Sequence, residues 1–125
     1  TMQMWGLLHD ATEAYIGDVA RPVKYHGAMA VYRAVEQHLE PVIERAFDLR
    51  PSALSKREIK IIDSRVLIDE IDAFMNLSDS DTLDGQIAKF GEPLGVNIAG
   101  LPPGPAEHVF LQRYREIQER MQCAS

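Results

Sequence analysis

Ser55-Lys56-Arg57-Glu58-Ile59-Lys60-Ile61-Ile62-Asp63-Ser64-Arg65-Val66-Leu67-Ile68-Asp69-Glu70-Ile71-Asp72-Ala73-Phe74-Met75 places apolar residues at Ile59, Ile62, Val66, Leu67, Ile71 and Phe74. Steps of three and four residues belong to one face of an α-helix; a half-buried strand would alternate every second residue. Arg50-Pro51-Ser52 breaks the chain ahead of it, and Ser55 with Glu58 three residues later has the spacing of a capping box. The spacing predicts a helix to about Met75. One residue violates the stripe. Asp63 has Ile59, Val66 and Leu67 one turn away, so its carboxylate is desolvated at several kcal/mol unless it is paired or binds a metal. A buried ion pair with an arginine or lysine and a metal-ligand role are both open on this pattern.

Outward from this segment the same period recurs. A helix is predicted from about Gly27 to Asp48, with Met29, Val31, Tyr32, Val35, Leu39, Val42, Ile43, Ala46 and Phe47 on its buried side and a kink at Pro41. Another is predicted from Met2 to about Ile16, with Met4, Leu7, Leu8, Ala11 and Tyr15 inward and Gly17 as its stop. Residues 17–24 read as a loop, because Pro22 disfavours a helical Arg21. Residues 77–105 hold most of the glycines and prolines and read as a loop-rich excursion with a short helix near Asp84 to Phe90. A last helix starts at Pro105 or Ala106, with Val109, Phe110, Arg113, Tyr114 and Ile117 inward. The expectation is an all-α helical bundle of four to five helices, one domain over residues 1–125.

Composition narrows the functional classes. A net charge of −6 leaves no basic excess to displace counterions, which argues against non-specific nucleic-acid binding. It does not exclude a small phosphorylated substrate held by a metal ion or a few well-placed cations. No apolar run approaches the roughly 20 residues of a membrane span. Cys123 is the single cysteine, which excludes an internal disulfide framework and fits a reducing, cytoplasmic setting.

A second group of polar residues stands close to the apolar pattern. Glu13 lies one turn on from both His9 and Asp10, directly after Leu7 and Leu8. Imidazole with carboxylates suits Mn, Fe, Co, Zn or Mg, and the imidazole favours the transition metals. A lone core histidine is more often just hydrogen-bonded, but here three ligands or bases cluster in five residues. Asp18, Arg21 and Lys24 follow; they read either as a surface salt bridge or as groups that orient a water and hold a phosphate. His26, His38 and His108 read as structural or surface residues. There is no Gly-rich phosphate loop, zinc-type cysteine pair or Gly-x-Ser-x-Gly elbow.

The run Leu7-Leu8-His9-Asp10-Ala11-Thr12-Glu13-Ala14-Tyr15-Ile16-Gly17-Asp18-Val19-Ala20-Arg21-Pro22-Val23-Lys24 closely resembles the central motif of HD-domain metal-dependent phosphohydrolases. It is most similar to the branch that holds bacterial and phage 5′-deoxynucleotidases. Ile59-Lys60-Ile61-Ile62-Asp63-Ser64-Arg65 resembles the segment that supplies the family's last metal-binding aspartate. The resemblance implies one divalent metal held by His9, Asp10 and Asp63. It implies that Glu13 and Asp18 position or deprotonate the attacking water, and that Lys24, with Arg21, meets the substrate phosphate. The implied reaction releases phosphate from a nucleotide-type phosphomonoester, a nucleoside or deoxynucleoside 5′-monophosphate, and a homodimer is one implied quaternary state.

One departure qualifies this. The family's first histidine comes from a helix well upstream of the doublet, and His26, His38 and His108 do not stand in its place. The chain also enters its apolar pattern almost at Thr1, so the expectation is that an N-terminal helix is missing from this sequence. The alternative is a catalytically degenerate HD-fold module that binds a nucleotide or a protein. Hydrolases of guanosine tetraphosphate share the doublet but follow it with Glu-Asp, where this chain has Glu13-Ala14. A cyclic-nucleotide phosphodiesterase would need more histidines for two metals.

Overall fold

The structure is a computed structural model that describes residues 2–75 and 80–123. The described residues are all-α, with no strand. The helices are α1 (Met2–Leu8), α2 (Glu13–Ile16), α3 (Arg21–Lys24), a 3₁₀ turn at Gly27–Met29, α4 (Ala30–Ala46), α5 (Ala53–Phe74), α6 (Ser80–Phe90) and α7 (Pro103–Cys123). No described helix is long and apolar enough to cross a membrane. The chain divides into two compact units: Thr1–Pro51 with Arg113–Ser125, and Ser52–Gln112.

In the first unit the predicted helix over residues 2–16 is broken. After α1, Ala11 N–H bonds back to Leu8 O at 3.0 Å and Glu13 N–H to Asp10 O at 2.9 Å, reaching three residues instead of four. The His9 ring contributes to the break, since its Nδ1–H donates to Gly6 O at 2.7 Å. Asp10 N–H would take that carbonyl in a continuous helix. The tightened turn buries Thr12 at 4% exposure, beside Met4, Trp5 and Leu8 as the buried residues of this region. Tyr15, predicted inward, is 74% exposed because the helical register does not survive the turn.

Gly17 stops α2 as predicted, with φ of 80° in the half of backbone space that favours glycine. Residues 21–24, predicted as loop, form α3, with Pro22 in its first turn where the missing N–H is not needed. The 3₁₀ turn and α4 fall where a helix was predicted, and Pro41 lies inside α4. Its inward face differs from the prediction. Tyr32, Glu36, Leu39 and Ile43 recur at helical spacing as half-buried or buried residues, while Val31, Val35, Val42 and Phe47 are exposed. The end of α4 is a Schellman motif: Leu49 N–H reaches Glu44 O at 2.7 Å and Asp48 N–H reaches Arg45 O at 3.3 Å. Asp48 takes the left-handed position, φ 48°, and Leu49 is buried. Phe47 packs edge-on against Tyr114 with ring centroids 6.1 Å apart, and Ile117 is buried one turn on.

In the second unit, α5 is capped by Ser52, whose Oγ accepts from Ser55 N–H at 3.0 Å. The true cap therefore lies three residues before the predicted capping box. Ile68 is the most buried residue of the helix at 1% exposure, whereas Ile62 and Phe74, predicted inward, are exposed. Helix α6 packs on α5 and extends the short helix predicted at 84–90; residues 77–79 of the predicted excursion lie outside the described residues. After α6 the chain is tied back to α5. Arg65 Nε–H donates to Glu92 O at 2.6 Å, and the Asp69 carboxylate accepts from Leu94 N–H at 3.0 Å and Gly95 N–H at 2.9 Å. Gly100, at φ 56°, lies against the Phe74 ring, and a Cβ there would stand 3.1 Å from a ring carbon. Helix α7 begins at Pro103, two or three residues ahead of the start predicted at Pro105 or Ala106, and its Val109 and Phe110 are exposed.

Candidate functional site

The His9-Asp10 doublet sits in the tightened turn between α1 and α2. With Nδ1–H committed to Gly6 O, the imidazole presents Nε2 as the ring's other nitrogen. Nε2 lies 3.1 Å from Asp10 Oδ2. A neutral Nε2 lone pair and a carboxylate oxygen at that spacing repel unless a cation, either a proton or a metal ion, lies between them. A backbone carbonyl on one imidazole nitrogen is the arrangement that orients a metal-ligating histidine through its other nitrogen. The residue types therefore fit a divalent ion. His9 is half-buried and Asp10 is exposed.

Glu13 opens α2 and is half-buried, with 25% of its side chain exposed. Its carboxyl pKa is raised above the ordinary range, first by burial and then by the negative charges of Asp10 and Asp18. Lys24 works in the opposite direction, and Glu36 adds a further small rise. Asp18 is exposed in the segment after Gly17, where its charge is felt by Glu13 and Tyr32. Arg21 is the first residue of α3 and is half-buried.

Lys24 ends α3 with its side chain only 18% exposed, and its ammonium lies between two carboxylates: 2.6 Å from Glu36 Oε1 and 3.7 Å from Glu13 Oε1. Burial acts against the ammonium, but the hydrogen bond and charge of Glu36, backed by Glu13, outweigh it and raise the Lys24 pKa. The structure thus joins Glu13 and Lys24 as an ion pair and adds a partner that the sequence reading did not single out. Glu36 shares the α4 face of Tyr32, Leu39 and Ile43, so the argument that marked Asp63 would also have marked it.

Two more α4 residues hold this region. Tyr32 Oη–H donates to Gly17 O at 2.6 Å, and Arg33 Nη1–H donates to Lys24 O at 2.6 Å and His26 O at 3.0 Å. One face of α4 therefore grips both ends of the 17–26 segment. His26 caps the 3₁₀ turn by accepting from Ala28 N–H, and His38 Nδ1–H donates to Ala34 O within its own helix, the structural roles expected of both.

Asp63 lies in the second unit, half-buried in the first half of α5 on the face it shares with Ile59, Val66 and Leu67. Its carboxylate is a donor type that suits a divalent metal, as are the imidazole of His9 and the carboxylate of Asp10 in the first unit.

No protein-family model matches the chain, and no solved structure matches it. The chain is 29% identical over 122 residues to the uncharacterized protein YfdR of Escherichia coli (strain K12). That alignment covers 94% of this chain and spans 63% of the length of the relative.

Proposed function

We propose that this protein is a metal-dependent phosphohydrolase of the HD-domain type, releasing phosphate from a nucleoside or deoxynucleoside 5′-monophosphate. The observation that carries the reading is the His9-Asp10 turn, with the imidazole Nδ1–H held by Gly6 O and Nε2 at 3.1 Å from Asp10 Oδ2. Asp63, a carboxylate on an apolar face of α5, is the third proposed ligand. A bound divalent ion would polarise a phosphoryl oxygen and make a water more acidic.

The other residues have roles that follow from their surroundings. Glu13, partly desolvated and among like charges, holds a proton more readily than an ordinary carboxylate. That is the property of a group that accepts one from an attacking water. Asp18 orients the same water. Lys24 carries the positive charge for a phosphate oxygen, and Arg21 is placed on the same short helix α3.

The test is elemental analysis of the purified protein, with any residues that precede Thr1 in its gene, beside phosphate release from deoxynucleoside monophosphates with Mn, Co or Mg. The expected outcome is about one metal per chain and metal-dependent release. Asp63→Ala is expected to lose both. Glu13→Ala is expected to keep the metal and lose about 10²–10⁴-fold in turnover, the usual contribution of a positioned base. No metal and no release would replace the reading with an HD-fold module that binds a nucleotide or protein. Full turnover in Asp63→Ala would return Asp63 to an ion-pair role.

A further inference from the structure

Lys24 is the one cation whose contacts tie α3 to both α2 and α4 in the described ion pairs. Its two carboxylates are not equivalent. At 2.6 Å the Glu36 contact is a short, charge-assisted hydrogen bond, whereas at 3.7 Å the Glu13 contact is attraction across a gap. The Lys24 carbonyl is fixed independently by Arg33, and the Tyr32 ring lies 5.9 Å beneath the ammonium. A flexible four-carbon stem is thereby held at its backbone and at its tip.

We infer that Glu36 is a positioning residue that holds the Lys24 ammonium beside the Glu13 carboxylate and not on it. Without Glu36, a partly buried ammonium has Glu13 as its remaining carboxylate partner in this cluster, and closing a gap of 3.7 Å needs only side-chain rotation. Lys24 would then occupy the oxygen that Glu13 offers to water, and would leave the position from which it meets a phosphate. Glu36 reaches neither water nor substrate in this scheme; it acts through Lys24.

The inference rests on the phosphohydrolase reading for its kinetic consequence, but its geometric content can be tested apart from activity. In the intact protein, the rate at which an amine-acylating reagent modifies Lys24, followed by mass spectrometry of its peptide, reports how firmly the ammonium is held. Glu36→Gln is expected to raise that rate several-fold relative to Lys56 and Lys60 in the same sample. The ammonium then keeps one carboxylate neighbour, Glu13, in place of two, and losing the hydrogen bond and charge of Glu36 lowers the Lys24 pKa. Glu36→Asp, which keeps the charge on a stem shorter by one methylene, is expected to fall between the two.

On the substrate, Glu36→Gln is expected to lower kcat and raise KM together, with metal content unchanged. In a Lys24→Met background the same substitution is expected to add nothing, because the two residues act as one unit. Unchanged Lys24 acylation in Glu36→Gln overturns the inference, and so does a further loss of activity in the double variant. If the unsubstituted protein releases no phosphate, the functional reading fails alone; the acylation rates still decide whether Glu36 holds Lys24.

Discussion

At the scale of single residues, chemistry is concentrated in a turn that a continuous helix could not provide. His9 takes the Gly6 carbonyl through Nδ1, the backbone tightens to three-residue hydrogen bonds, and Asp10 Oδ2 comes to 3.1 Å from His9 Nε2. Glu13 carries a stability consequence with a definite sign. Its folded pKa is raised, so its contribution is fully present below the unfolded carboxylate pKa and is lost as pH rises through the folded value. At neutral pH the ionised group therefore works against the metal-free fold. Glu13→Gln is expected to raise the denaturation midpoint of chelator-treated protein slightly at pH 7.5 and to leave it unchanged near pH 4. A lower midpoint at pH 7.5 would mean that the Lys24 contact outweighs the burial of the charge. His9, Asp10, Glu13, Asp18 and Lys24 were legible in sequence because they share one short run. Glu36 was open to the argument used for Asp63, with Tyr32 and Leu39 one turn away, but its pairing with Lys24 was not legible, because the two stand 12 residues apart on different helices.

At the scale of elements, the long helices were legible and their ends were not. Periodicity places α4 and α5 within a few residues, but which serine caps α5 depends on backbone geometry. Ser52 accepts from Ser55 N–H with extended φ and ψ, so Ser52→Ala is expected to lower stability by about 1 kcal/mol in urea denaturation, and Ser55→Ala by less. The Schellman end of α4 places an aspartate where glycine is usual. Asp48→Gly is expected to raise stability by up to about 1 kcal/mol, because a left-handed backbone strains any residue with a Cβ. The Asp48–Arg50 pair lost with it is largely solvated, and such pairs contribute little. The segment after α6 is held by two side chains of α5: Arg65 donates to Glu92 O, and Asp69 accepts from both Leu94 and Gly95 N–H. Nothing in the sequence marks Asp69 for this, because both its partners are main-chain groups some 25 residues away.

At the scale of the whole molecule, the buried apolar residues are few among those described: Met4, Trp5, Leu8, Ile43, Leu49 and Ile117 in the first unit and Ile68 in the second. Ile68→Ala is expected to lower stability by about 2–5 kcal/mol, the range for emptying a filled core position. Val31→Ser, at a residue 75% exposed, is expected to change it by no more than about 0.5 kcal/mol. If the proposed metal binds only the folded chain, saturating it at a hundredfold excess over Kd raises unfolding free energy by about 2.7 kcal/mol, and a chelator removes that gain. An unchanged midpoint with chelator would count against a bound ion. By itself the sequence determined that this chain is helical, where its long helices run, and which short segment carries the imidazole and carboxylates. These follow from local periodicity and from polar residues that interrupt it. Only the tertiary structure decided that the first helix breaks at His9, which face of α4 turns inward, and that Glu36 holds Lys24. The break at His9 rests on short-range hydrogen bonds that apolar spacing does not record, and the other two outcomes depend on hydrogen bonds and burial between segments distant in sequence.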